Sequence, residues 1–209
     1  MNLPAIITRP VVVLSHGRSG SMLLTHDIGQ KLNANPVARH AATPEQIPNI
    51  PANNTPIQVH MIAPKSVFEN YTQIYNLRYD PVETTLSRIL ADTFKHYHQF
   101  DHQDWINHDS FEFERWGWLG GMCQQFVEWH THYGSQLTVD DYVVVYEKYV
   151  DVIHNRPSAY KPLYTNKDSL LINYNQVREF IVDNYLDSML ASIEPFLKHQ
   201  NPADIYQAL

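Results

Sequence analysis

The chain has 209 residues, 44% of them hydrophobic, and a formal net charge of −7. That length supports one domain, 1–209, with a sizeable core, and the acidic balance argues against a general nucleic-acid binder. The single cysteine, Cys123, excludes an internal disulfide and points to a reducing, cytoplasmic setting. No apolar run approaches a membrane span, so no membrane partner is expected. Pro4, Arg9 and Pro10 interrupt the stretch where a signal peptide would need an apolar core.

In chain order, "VVVL" at residues 11–14 reads as a buried strand, because β-branched residues suit a packed, pleated surface. "HGRSGS" cannot continue it. Gly17 and Gly20 permit backbone conformations closed to other residues, and Ser19 and Ser21 favour turns and helix N-caps. "SMLLTHDIGQKL" then resumes at helical spacing through Met22, Leu24, Ile28 and Leu32. A strand, a tight Gly-rich loop and a helix start place unpaired N–H groups and the positive helix end together. That is a site for an anion such as phosphate. Arg18 adds a fork of donors matched to phosphate or sulfate oxygens. The loop is not a Walker A sequence, since the lysine of that motif is missing, which weakens a kinase or GTPase reading.

Residues 33–56, rich in Pro, Asn and Ala, read as an irregular connection with a short helix near residues 44–47. "PIQVHMI" and "YTQIYNLRY" follow as strands. Pro81 opens a helix whose buried face is Val82, Leu86, Ile89, Leu90 and Phe94. "FERWGWLGGMCQQFVEWHTHYG" suggests another helix, weakened by Gly120 and Gly121. "DDYVVVYEKYV" is a further strand, and "NYNQVREFIVDNYLDSMLASIEPFL" is helical up to about Pro195. Strands alternating with helices predict an α/β fold. Its mainly parallel central β-sheet is flanked by helices, with a P-loop-like strand–loop–helix at the N-terminus. Ligands of such sheets sit beyond the strands' carboxyl ends, where the opening loop lies.

Several of these segments together resemble the PAPS-dependent sulfotransferases. "LSHGRSGSMLL" is similar to that family's 5′-phosphosulfate loop, with Arg18, Ser19, Gly20 and Ser21 in matching places. His16 stands where the family usually has Pro, and Met22 replaces a common Thr or Ser. "IYNLRYDPVETTLSRIL" resembles the second motif, a strand ending in Arg followed by a helix carrying Ser. "QVHMIAPKSVF" looks like the segment bearing the catalytic His of the cytosolic branch, and "DDYVVVYEKYV" like a later family strand. The resemblance spans residues 11–150.

The resemblance implies the cofactor PAPS (3′-phosphoadenosine 5′-phosphosulfate), the product PAP, and a small-molecule or glycan acceptor. It implies in-line transfer of a sulfuryl group to a hydroxyl or amine, a chemistry that needs positioning and charge stabilisation and no metal. Gly17, Arg18, Ser19, Gly20, Ser21 and Met22 would hold the 5′-phosphate, with Arg18 also neutralising charge on the bridging oxygen. Arg78 and Ser87 would hold the 3′-phosphate. His60 would be the base, with His16 and Glu45 as rivals and His26 as a weaker one. Arg78 precedes Ser87 by nine residues, one more than the family's spacing. Either a bulge restores Arg78, or another cation reads that phosphate, with Arg88 a weak substitute. A non-catalytic nucleotide- or anion-binding domain that keeps the phosphate loop is the alternative reading.

"FKHYHQFDHQDWINHD" gathers His96, His98, His102 and His108 among aspartates, without a compact metal motif. Its aromatic residues better suit a lid or an acceptor wall. Cys123 reads as core and "WHTH" as a helix face. Glu147 reads as a strand-end carboxylate that pairs locally.

Overall fold

The computed structural model describes residues 10–32, 39–41, 46, 56–94, 109–148 and 167–199. The strands are β1 (Val11–Leu14), β2 (Arg39–Ala41), β3 (Ile57–Val59), β4 (Thr72–Leu77) and β5 (Tyr142–Val145). The helices are α1 (Ser21–Lys31), α2 (Pro81–Phe94), α3 (Trp116–Gly134) and α4 (Tyr174–Lys198), with a 3-10 turn at Lys65–Phe68 and a single helical turn at Lys167–Leu170.

The strands form one parallel sheet in the order β2-β3-β1-β4-β5. β1 is central, with Val12 in register with Ile57 of β3 on one side and Gln73 of β4 on the other. All four of its residues are fully buried, which explains an unbroken apolar run in place of alternation. Val11 and Val13 pack with Leu24 and Ile28 of α1, while Val12 and Leu14 face the larger core of α2, α3 and α4. The fold is thus α/β with both sheet faces covered.

The chain leaves β1 through α1 toward β2, and leaves β4 through α2 and α3 toward β5 on the opposite face. The loops after β1 and β4 therefore meet at a topological switch point beyond the strands' carboxyl ends. α2 is started by Pro81 and by Asp80, whose Oδ1 accepts the Glu83 N–H at 2.9 Å. Asn173 ties the segment before α3 to the start of α4. It accepts from Phe113 N at 2.9 Å and donates to Phe113 O at 2.8 Å.

Three expectations are corrected. The connection after α1 contributes a strand, β2, which pairs with β3 as the sheet edge. Most of the helix expected at residues 44–47 lies outside the described residues, as do Glu45 and the histidines of residues 96–108. β5 ends at Val145, so Tyr146 and Glu147 leave the strand and turn toward the switch point. α4 passes through Pro195 and ends at Lys198. Pro195 packs against Gly134, and Phe196 is buried beside Tyr75, Trp129 and His130, so tertiary burial carries the helix past a residue that lacks an N–H. Gly120 and Gly121 likewise do not interrupt α3. No helix among the described residues is long and apolar enough to cross a membrane.

Candidate anion-binding site

The loop between β1 and α1 is built from left-handed residues. Gly17 has φ 96°, Arg18 φ 55° and Gly20 φ 75°. Arg18 is the non-glycine residue among them, and a backbone held there against its preference is a feature of sites that gain from it. Gly20 occupies the N-cap position of α1, and no side chain caps the helix. Ser19 and Ser21, expected as caps, are turned to other uses. Ser19 is buried and its carbonyl accepts from Asn76 Nδ2 at 2.9 Å. Ser21 Oγ accepts from Gln58 Nε2, and Ser21 O accepts from Thr25 Oγ1 at 2.6 Å. The first-turn N–H groups of α1 thus remain uncovered by side-chain caps at the switch point. Met22 lies in this first turn, half-buried.

Four buried polar atoms around this loop have no hydrogen-bond partner among the described residues: His16 Nδ1, Ser19 Oγ, Gln58 Oε1 and Asn76 Oδ1. Buried polar groups are normally satisfied, so these four atoms are open to a further partner such as water or a ligand.

The ring of Tyr146 covers Gly20, and the Arg78 guanidinium lies over that ring, 5.2 Å from its centroid. Arg78 Nη1 donates to Ser87 Oγ at 3.2 Å, so the nine-residue spacing brings the two together. Arg78 is one residue beyond β4, where pleat alternation no longer fixes the side a residue faces. Its Nε also pairs with Glu147 Oε1 at 3.3 Å, and Glu147 Oε2 accepts the Tyr79 N–H at 2.8 Å. The local pairing expected of Glu147 is therefore with Arg78.

Arg88 turns the other way. It pairs with Asp92 at 2.9 Å, and its Nη1 approaches Gly17. With His16, Gly17, Arg18, Thr84, Thr85 and Met122 it lines a small, partly open pocket beside the loop. Arg18 and Arg88 thus both contribute to the pocket lining, while Arg78 stands at the Tyr146 side of the loop.

His60 directly follows β3, beside the loop. Its Nδ1 lies 2.8 Å from Ser15 O, and its Nε2 lies 2.9 Å from Gln58 Nε2. His16 packs edge-on against Phe126, with ring centroids 5.1 Å apart. Burial, and then the charges of His130, Arg88 and His60, hold its imidazole well below the usual histidine range. His26 sits half-buried in α1. Cys123 is core, its thiol pushed up to about 12 by burial. His130, from "WHTH", is buried with Nδ1 donating to Phe126 O at 2.8 Å. His132 Nε2 bonds Ala63 O at 3.1 Å. Among the described residues no group of three or more His, Cys, Asp or Glu could hold a metal ion.

Sequence reasoning missed Gln58, Asn76 and Tyr146. The first two carried a signal: an amide inside a buried parallel strand must find partners, and both find them on the loop. Tyr146 carried none, because it reads as one more strand residue until the strand is seen to stop. Comparison with protein-family models, with curated proteins and with solved structures gives no match for this chain.

Proposed function

We propose that the chain binds PAPS and transfers its sulfuryl group to a hydroxyl or amine acceptor by in-line displacement. The observation that carries this reading is the pairing of Arg78 with Ser87, 3.2 Å apart, beside an uncapped helix start built from left-handed residues. Two anion-holding groups so arranged suit a ligand with two separate phosphate positions better than a lone anion. In this reading the N–H groups of residues 17–22 hold the 5′-phosphate, and Arg18 offsets charge growing on the bridging oxygen. Arg78 and Ser87 take the 3′-phosphate. His60, at the end of β3, takes the acceptor's proton, and the acceptor is a small molecule or glycan.

One observation favours binding without catalysis: both ring nitrogens of His60 are engaged, by Ser15 and by Gln58. The two readings separate by experiment. PAP without added metal should raise the melting temperature by linkage, and more than adenosine 5′-phosphate does. Arg78→Ala and Ser87→Ala should each narrow that difference. No stabilisation by millimolar PAP would refute nucleotide binding. Turnover of labelled PAPS with a panel of acceptors, lowered by about 10²-fold or more in His60→Ala, supports the enzyme. PAP binding with no turnover on any acceptor supports the binding domain.

A further inference from the structure

The ring of His60 is held at both nitrogens, and with the Gln58 amide as it stands these contacts fit one arrangement of its protons. Nδ1 lies 2.8 Å from both Ser15 O and Ser15 Oγ. A carbonyl oxygen can only accept, so Nδ1 carries the proton and donates. Nε2 lies 2.9 Å from Gln58 Nε2, and an amide N–H can only donate, so Nε2 presents its lone pair there. The same amide nitrogen donates to Ser21 Oγ in the first turn of α1. Gln58 is 1% exposed and its Oε1 has no partner among the described residues.

This amide has two settings. As it stands, its NH₂ satisfies a neutral imidazole and uses Ser21 Oγ as an acceptor, leaving the Ser21 hydroxyl proton for an anion at the loop. Turned over, its Oε1 would accept from a protonated His60 Nε2–H and from the Ser21 hydroxyl, which would then be withdrawn from the anion. Each setting matches one protonation form of the ring and one state of the loop.

We infer that Gln58 is a positioning residue whose amide sets the proton arrangement of His60 and links it to the anion-binding end of α1. Through this amide, and against the direct pull of the anion's charge, a filled loop favours the neutral ring; a proton arriving on Nε2 turns the amide and loosens Ser21 from the anion. By reciprocity of linkage the two effects are equal. The consequence for turnover rests on His60 as the acceptor's base, as proposed above; the proton arrangement of the ring does not. Among the described residues, the charged or titratable groups shown near His60 include His16 of the loop and Arg88 of α2. Neither is altered in the test.

The test is nitrogen-15 NMR of the full chain labelled at histidine, in wild type, Gln58→Glu and Gln58→Leu. In wild type His60 should be the Nδ1–H form at neutral pH. Gln58→Glu, whose carboxylate only accepts, should raise the proton affinity of His60 by about tenfold or more. PAP adds negative charge and raises that affinity in any variant, but Gln58 opposes the rise. The increase should therefore be smaller in wild type than in Gln58→Leu, by about threefold or more. An Nε2–H ring in wild type overturns the inference. So does unchanged titration in Gln58→Glu, or an equal PAP effect in wild type and Gln58→Leu. Should Gln58→Leu not fold, the wild-type ring and Gln58→Glu decide. If PAP does not bind while those two results hold, the nucleotide reading fails and the role of Gln58 stands, with inorganic phosphate then serving as the loop probe.

Discussion

Gly20→Ala is a substitution for which the structure sets a large local penalty. Gly20 has φ 75°, and an alanine held in the left-handed region costs about 1–2 kcal/mol. The added Cβ would also lie 2.1 Å and 2.3 Å from Cδ2 and Cε2 of Tyr146. Those are ring atoms, so the whole ring must shift, and overpacking of this kind costs about 1–3 kcal/mol. The displaced ring loses its contact with Arg78, worth about 0.5–1 kcal/mol. The sum is about 2.5–6 kcal/mol, a melting-temperature loss of roughly 5–24 °C for a chain of this size. Urea unfolding of wild type, Gly20→Ala, Tyr146→Ala and the double variant forms a cycle that separates the two causes. With the ring gone, Gly20→Ala should cost only the backbone part, about 1–2 kcal/mol. An equal cost in both backgrounds would show that Tyr146 does not cover Gly20, and a cost under about 0.5 kcal/mol would refute the left-handed cap as well.

Two further outcomes follow from buried polar groups. Burial lowers His130 from 6.5 to about 4, the bond to Phe126 O opposing it. The neutral ring's stabilisation is therefore full above about pH 6.5 and is lost as pH falls through about 4, some 3 kcal/mol in all. Urea midpoints measured down that window should fall more steeply in wild type than in His130→Phe, and equal slopes would remove His130 from the acid sensitivity. Asn173→Ala strands the buried N–H and C=O of Phe113, at about 2–4 kcal/mol. Thermal melting and hydrogen exchange at the Phe113 amide check it, and an amide as protected as in wild type would overturn it.

What could be read in advance was what local chemistry dictates. "VVVL", the glycine-flanked loop and the helix opened by Pro81 each follow from residues that exclude alternatives, and each is where the pattern places it. The Arg78–Ser87 contact was legible as a pair of residue types but not as a distance. Its geometry depends on where β4 stops, and strand ends are set by pairing with β1 and β5. β2 was illegible because "RHA" has no apolar pattern of its own; it is a strand only because β3 offers an edge. The end of α4 was misjudged because Pro195 speaks for termination locally, while burial of Phe196 speaks against it across the core.

The pairing of Arg78 with Glu147 makes the cation a partner in an exchange. Glu147 is an anion already tethered beside the guanidinium, and its other oxygen is secured by the Tyr79 N–H. An arriving monoanion would replace one carboxylate contact with another like it, against a competitor whose effective concentration is set by the chain. A doubly charged group gains where a singly charged one breaks even. If Arg78 receives an anion as proposed, the carboxylate would work as a threshold, favouring phosphate-like ligands over carboxylates and chloride.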